Sequence, residues 1–159
     1  MIMSRILCAL LMSAAIITSL GAQARSDSAV AAQLPSVELP PDLARVLTDY
    51  ETEWRRGGGA VAQLFTDDGF VLSAGRPPIK GRTAIAEHYG SGGGGPLSLR
   101  AIAFAAEGGV GYIIGAYTSE RGAPDIGKFT LTLRRRPDGR WMIVSDMDSP
   151  NRRPQQRSP

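Results

Sequence analysis

Leu43, Val46, Leu47, Tyr50 and Trp54 recur at i, i+3, i+4, i+7 and i+11, which is one face of a 3.6-residue period. The spacing predicts a helix opened by Pro40-Pro41-Asp42. Proline is tolerated in a first turn, and an acid is favoured near the positive end of the helix dipole. Glu51 and Arg55, four apart on the other face, are placed to pair weakly. Gly57-Gly58-Gly59 stops the helix. Ala60 to Phe65 reads as a short second helix, and Thr66-Asp67-Asp68-Gly69 as turn chemistry. Phe70 to Ala74 is a short strand and Gly75 to Gly81 a Pro/Gly connection. Arg82 to Tyr89 is a third helix with Ile85 and Tyr89 on one face, and Ser91 to Pro96 a glycine-rich mobile loop.

The remainder is strand. Leu97 to Ala106, Val110 to Glu120, Ile126 to Arg136 and Arg140 to Asp148 are four extended runs. Glu107-Gly108-Gly109, Arg121 to Asp125 and Pro137-Asp138-Gly139 are the turns between them. The last turn sets the register of its hairpin. Arg136 stands opposite Arg140, Leu133 opposite Ile143, Leu131 opposite Ser145 and Phe129 opposite Met147. These residues and Trp141 share one mostly apolar face, expected to pack on the first helix. Lys128, Thr130, Thr132, Val144, Asp146 and Asp148 take the other face. Lys128 then pairs across strands with Asp146 or Asp148. A bulge would exchange the faces. Helices first and an antiparallel meander afterwards predict an α+β fold, a curved sheet wrapped over the long helix as a cone.

Composition narrows the function classes. Met1 to Ala24 reads as a secretory signal peptide: Arg5 in the n-region, an apolar stretch from Ile6 to Leu20, and Ala22-Gln23-Ala24 before the cut. The stretch is short for a membrane span, which needs about 20 apolar residues, so no stable anchor is expected after cleavage. The expected location is the periplasm or the medium. Arg25 to Glu38, Ser/Ala/Gln-rich, reads as a flexible linker, 39–149 as the cone domain, and 150–159 as a disordered basic tail. Beyond the leader there is one histidine, His88, and no cysteine. Disulfide staples are thereby excluded, and no Cys/His zinc site can be built. The balance there is 17 basic against 15 acidic residues, with the excess in Arg134-Arg135-Arg136 and the tail. A hairpin end and a loose tail do not make a nucleic-acid face, which clusters basic groups with aromatics. The four-glycine loop lacks the Lys-Ser/Thr and following helix of a phosphate-binding loop.

Several motifs, in order, carry a resemblance. They are Trp54 near the end of the first helix, Leu64-Phe65-Thr66-Asp67-Asp68-Gly69, Pro78-Ile79-Lys80-Gly81-Arg82-Thr83-Ala84-Ile85, Gly127-Lys128-Phe129, and Gly139-Arg140-Trp141-Met142-Ile143-Val144-Ser145-Asp146-Met147. Together they resemble the nuclear transport factor 2-like superfamily, and most of all its SnoaL-like domains related to ketosteroid isomerase, over Leu39 to Ser149. The resemblance implies a cystatin-like cone with a pocket between helices and sheet, no cofactor, and frequent homodimers through the sheet's outer face. It does not imply one chemistry, because this fold carries isomerases, cyclases, hydrolases, binding modules and assembly domains. The carboxylate and oxyanion set of the ketosteroid isomerases cannot be placed here residue by residue.

Candidate catalytic residues are His88, whose ordinary pKa suits neutral pH, Asp146, which matches the acid after the Trp-x-Ile-Val pattern of the resemblance, and Tyr117. Tyr50, Trp54 and Lys128 are candidate ligand-binding residues. Asp67 and Asp68 belong to a turn first, and no metal site is expected. Three functions stay open: a module binding a small hydrophobic molecule, a cofactor-free enzyme moving a proton on such a molecule, and a dimerising interaction domain with an exposed apolar sheet face around Ile113 and Val144. The first two are separated by whether His88, Asp146 and a tyrosine hydroxyl converge in one cavity.

Overall fold

The computed structural model describes residues 33–90 and 92–151. Helix α1 runs Pro41–Arg55 and buries Leu43, Val46, Leu47 and Tyr50, the face the periodicity predicts. A 3-10 helix at Gly59–Leu64 follows. The remaining elements are β1 (Phe65–Ser73), β2 (Ile79–Lys80), α2 (Arg82–Gly90), β3 (Ser98–Glu107), β4 (Val110–Thr118), β5 (Gly127–Arg135) and β6 (Trp141–Pro150). The expected signal peptide and most of the expected tail lie outside the described residues. Of the expected linker, Val37 N–H bonds Ala101 O at 3.0 Å, and Arg100 donates to Leu34 O and Ser36 Oγ.

The strands form one six-stranded sheet in the order β2-β1-β6-β5-β4-β3. Strands β3 to β6 are the antiparallel meander that the turns predict. The sheet as a whole is mixed, because β1 pairs with β6 in parallel. That pairing jumps from Phe65↔Ile143 to Phe70↔Ser145, so the predicted turn residues Thr66-Asp67-Asp68-Gly69 loop out of the ladder within β1. The core holds Phe65, Val71, Ile85, Ile113, Leu131, Leu133 and Ile143 between helices and sheet. The fold is thus α+β, with helices covering the sheet's inner face.

The β5–β6 hairpin begins as predicted. Arg136 N–H bonds Arg140 O at 2.8 Å, and Leu133 stands opposite Ile143. The next pair is Thr132↔Ser145, so Val144 is an extra residue on β6. This bulge flips every later side chain of β6. Leu131 faces Asp146, Phe129 faces Asp148, and Thr130 faces Met147. The expected assignment of Met147 to the inside and Asp146 to the outside is therefore reversed. Met147 is 54 % exposed and Asp146 is 3 % exposed.

Two further expectations change with the phase. The pair of Lys128 with Asp146 or Asp148 does not form. Lys128 stands opposite Ser149 on the outer face and reaches Asn151 Oδ1 at 3.4 Å. The outward apolar residues of the strands are Val110, Tyr112, Ile114 and Met147, not Ile113, which is fully buried, or Val144, which sits in the bulge. Glu51, expected on the open side of α1, is also buried. It keeps its Arg55 pair at 3.5 Å and accepts the Leu99 N–H at 2.7 Å. It thereby satisfies a strand amide that would otherwise lie unpaired against the helix.

Candidate active site

The inner face of the sheet, α1 and the end of α2 enclose a cavity of about 530 Å³. Its walls include Trp54, Leu97, Leu99, Phe129 and Leu131, and the exposed Ala74, Arg76 and Gly92 mark its rim. Asp146 is the buried acid of this space. The bulge turns it inward, and two helices meet it with tyrosines. Tyr50 comes from the apolar face of α1, seven residues after Leu43. Tyr89 comes from the last turn of α2, one turn after the buried Ile85.

The three groups form a triangle. Tyr50 Oη lies 2.8 Å from Asp146 Oδ2, Tyr89 Oη lies 3.1 Å from the same oxygen, and the two hydroxyls are 3.1 Å apart. Two hydroxyl protons serve the three edges, so both are spent inside the triangle. Asp146 Oδ1 accepts no hydrogen bond among the described residues, and Asp146 lines the cavity. Burial pushes its carboxyl up to about 6, the Tyr50 bond pulls it down, Asp148 two residues on pushes it up again, and Tyr89 pulls it down. The balance is a carboxylate poised near neutrality, the range in which a general base works best. Both tyrosines are raised above the ordinary phenol, mainly by burial and then by Asp146, so they stay protonated and act as donors.

The other residues singled out from the sequence divide. Tyr117, Trp54 and His88 line this cavity with Asp146 and Tyr50. Trp54 packs edge-on against Tyr89 at 5.7 Å between ring centres, and the His88 ring lies 5.1 Å from that of Tyr89. Lys128 is outside the cavity, because odd and even positions of β5 face opposite ways and Phe129 holds the inner one. Tyr89, Asp148 and Arg76 were not anticipated as site residues. The spacing of Tyr89 from Ile85 signalled its burial, and Asp148 follows Asp146 by the two-residue step of a strand face. Asp148 Oδ1 accepts the Ser73 hydroxyl at 2.6 Å, which ties the carboxylate to β1.

Fold and site together define a cone with an acidic cavity held by two tyrosines, and solved structures share that cone. A ketosteroid isomerase-like protein from Erwinia carotovora atroseptica superposes with a TM-score of 0.57 at 21% identity, covering 72% of this chain and 100% of its own. A nuclear transport factor 2-like protein of unknown function from Shewanella oneidensis gives 0.56 at 22%, covering 68% and 96%. A domain of unknown function with a cystatin-like fold from Nostoc punctiforme gives 0.56 at 13%, covering 73% and 81%. No protein-family model matches the sequence, and no curated protein matches it. The fold is the nuclear transport factor 2-like, cystatin-like cone, and at these identities the likeness speaks of fold alone.

Proposed function

We propose that the domain is a cofactor-free acid–base enzyme that takes a small, largely apolar carbonyl compound into the cone and moves a proton with Asp146. The observation carrying this reading is the buried carboxylate itself. It lies in a cavity that Trp54, Leu97, Leu99, Phe129 and Leu131 wall on the apolar side, is pinned through one oxygen, and has its carboxyl pushed up to about 6. A purely structural acid would gain nothing from an open cavity at its second oxygen. An apolar wall suits a carbon acid, whose reacting C–H needs a base shielded from water.

The chemistry balances simply. Asp146 Oδ1 takes a proton from the carbon beside the carbonyl, the C–H bond breaks, and its electron pair moves into an enolate. The protonated Asp146 exchanges with solvent and returns a proton, or in D2O a deuteron, to carbon, which completes the cycle. Cyclohexanone, 2-indanone and 2-tetralone in D2O, followed by proton NMR, test the step directly. The domain is expected to accelerate deuterium uptake at the α-carbon of at least one of them, and Asp146→Asn to lower that rate about 10²–10⁴-fold. The rate should rise with pH through about 6, because the base is the ionised form. Absence of exchange with all three, alongside equal thermal stabilisation of parent and variant by the same ketones, would establish a binding module instead.

A further inference from the structure

The cavity holds two acids and no cation paired with them. Asp146 and Asp148 both line it, and the two-residue step along β6 sets them about 7 Å apart on one face of the strand. Neither pairs with a lysine or an arginine among the described residues. Their hydrogen bonds come from neutral hydroxyls, Tyr50 and Tyr89 on Asp146 Oδ2 and Ser73 on Asp148 Oδ1. Asp146 Oδ1 and Asp148 Oδ2 accept none among the described residues. A buried charge is ordinarily paired. The negative field shows in the neighbours. Beyond burial, both acids push Tyr117 above the ordinary phenol, and Asp148 pushes Asp146 up against its tyrosine bonds. Arg76 stands on the rim with its charge in water, where solvent and salt screen it.

Five aromatic side chains share the cavity with these acids: Tyr50, Trp54, Tyr89, Tyr117 and Phe129. The rings of Tyr50 and Trp54 lie 6.4 and 5.7 Å from that of Tyr89, at 76° and 77° to it, so each meets Tyr89 nearly at right angles. Aromatic faces carry negative partial charge and attract an organic cation, most strongly one stripped of water. Alkyl groups on the cation suit the apolar wall, and its charge suits the two unengaged carboxylate oxygens.

We infer that the cavity takes an organic cation, a tertiary or quaternary ammonium compound, with its nitrogen between Asp146 and Asp148 and its alkyl groups against the aromatic walls. The attraction needs only the two charges and the walls, and holds whether or not Asp146 also moves a proton. On the reading of Asp146 as base, the carbonyl substrate is an amino ketone, and its ammonium favours the ionised carboxylate that takes the proton.

Three probes of one shape separate charge from fit: choline, the neutral 3,3-dimethylbutan-1-ol and the anion 3,3-dimethylbutanoate. Ethanolamine keeps the charge of choline without its methyl groups. Affinities are read by calorimetric titration at low salt and pH 8, where Asp146 is ionised. Choline is expected to bind about 10–100-fold more tightly than the neutral alcohol and about 10-fold more tightly than ethanolamine. The anion is expected to bind most weakly. Asp148→Asn keeps an oxygen for Ser73, and Asp146→Asn keeps one for the tyrosines. Each is expected to lose about 5–10-fold in choline affinity and to hold the alcohol as the parent does, a split that damage to the fold would not produce. Choline bound no better than the alcohol, or not at all, overturns the inference. The anion binding most tightly gives the cavity to Arg76 and overturns it too. Choline affinity unmoved in both variants removes the acids from the site, and ethanolamine equal to choline removes the aromatic walls. Deuterium exchange is read separately. Exchange without a preference for choline keeps the base and ends this inference, whereas a preference for choline without exchange keeps the cation site and ends the enzyme.

Discussion

Asp146→Asn is expected to melt about 10 °C above the parent at pH 8 and to show almost no advantage at pH 4. The carboxyl titrates at about 6 in the folded domain against an ordinary 3.8. A raised carboxyl means that folding favours the protonated form. The stability it contributes is complete below pH ~4 and is lost as the pH rises through about 6. At 1.36 kcal/mol per pH unit, the charged form costs the fold about 3 kcal/mol at neutral pH and above. Asparagine keeps the shape and never takes the charge. Its neutral amide oxygen accepts the two tyrosine hydroxyls as the protonated acid does, and the charge-assisted strength of those bonds is already contained in the value of about 6. The gain of about 3 kcal/mol corresponds to about 10 °C in a domain of this size. Asp42, Asp68 and Asp125 are all held below the usual carboxylate range and slope the other way with pH. They are common to both proteins and cancel in the difference. Calorimetry of the pair from pH 4 to pH 8 reads that difference, and a gap that does not widen with pH would mean that Asp146 carries no buried charge. A variant that is more stable and less active is the expected signature of a strained functional group.

The same residue shows what local pattern cannot carry. In Trp141-Met142-Ile143-Val144-Ser145-Asp146-Met147-Asp148, a strict two-residue period offers two phases. Placing apolar groups inside selects the phase with Ile143 and Met147, and puts Asp146 in solvent. The fold keeps Ile143 inside, inserts Val144 as a bulge, and continues in the other phase. Burying Asp146 is tolerable only because Tyr50 and Tyr89 satisfy it, from 96 and 57 residues away in the chain. No window along the strand contains that compensation. Glu51 is similar, since its burial depends on the Leu99 amide on β3. The parallel pairing of β1 with β6 likewise spans most of the domain.

What is local was legible. The apolar face of α1, the hairpin at Pro137-Asp138-Gly139 and the four-strand meander all lie within two residues of their expected bounds. The α+β class and the cone follow from them. Of the cavity residues, Tyr50, Trp54, His88 and Tyr117 were expected from residue type and position and Asp146 from the resemblance, and all five line the one cavity. The triangle that joins three of the cavity's residues needs Tyr89, whose burial was visible and whose partner was not. Lys128 was placed by the same phase that misplaced Asp146, and the bulge moved the acid without moving the lysine.

Gly58→Ala is expected to be strongly damaging, and Gly75→Ala separates its causes. Both glycines have φ +74, a conformation costing an L side chain roughly 1–2 kcal/mol. Around Gly75 a Cβ meets nothing within 4 Å, so that variant registers the backbone term alone. At Gly58 the Cβ would overlap the Tyr89 carbonyl oxygen and lie 2.7 Å from Gly93 Cα. Those are backbone atoms and cannot swing aside as a side chain would. Gly93 N–H bonds Tyr89 O at 2.9 Å and Gly94 N–H bonds Trp54 O at 2.8 Å. The methyl therefore pushes on the joint where α1, the end of α2 and the loop beside the cavity meet. Overpacking of this kind adds about 1–3 kcal/mol. Gly58→Ala should lose about 10–20 °C in Tm and Gly75→Ala about 4–8 °C. The displacement also passes through Tyr89 to the triangle, so Gly58→Ala should lower the Asp146-dependent exchange rate at temperatures where it remains folded. Gly75→Ala lies on the turn after β1, away from the triangle, and should leave that rate intact. Equal Tm losses in the two variants would show that the loop yields to the methyl, and that the joint does not hold Tyr89 in place.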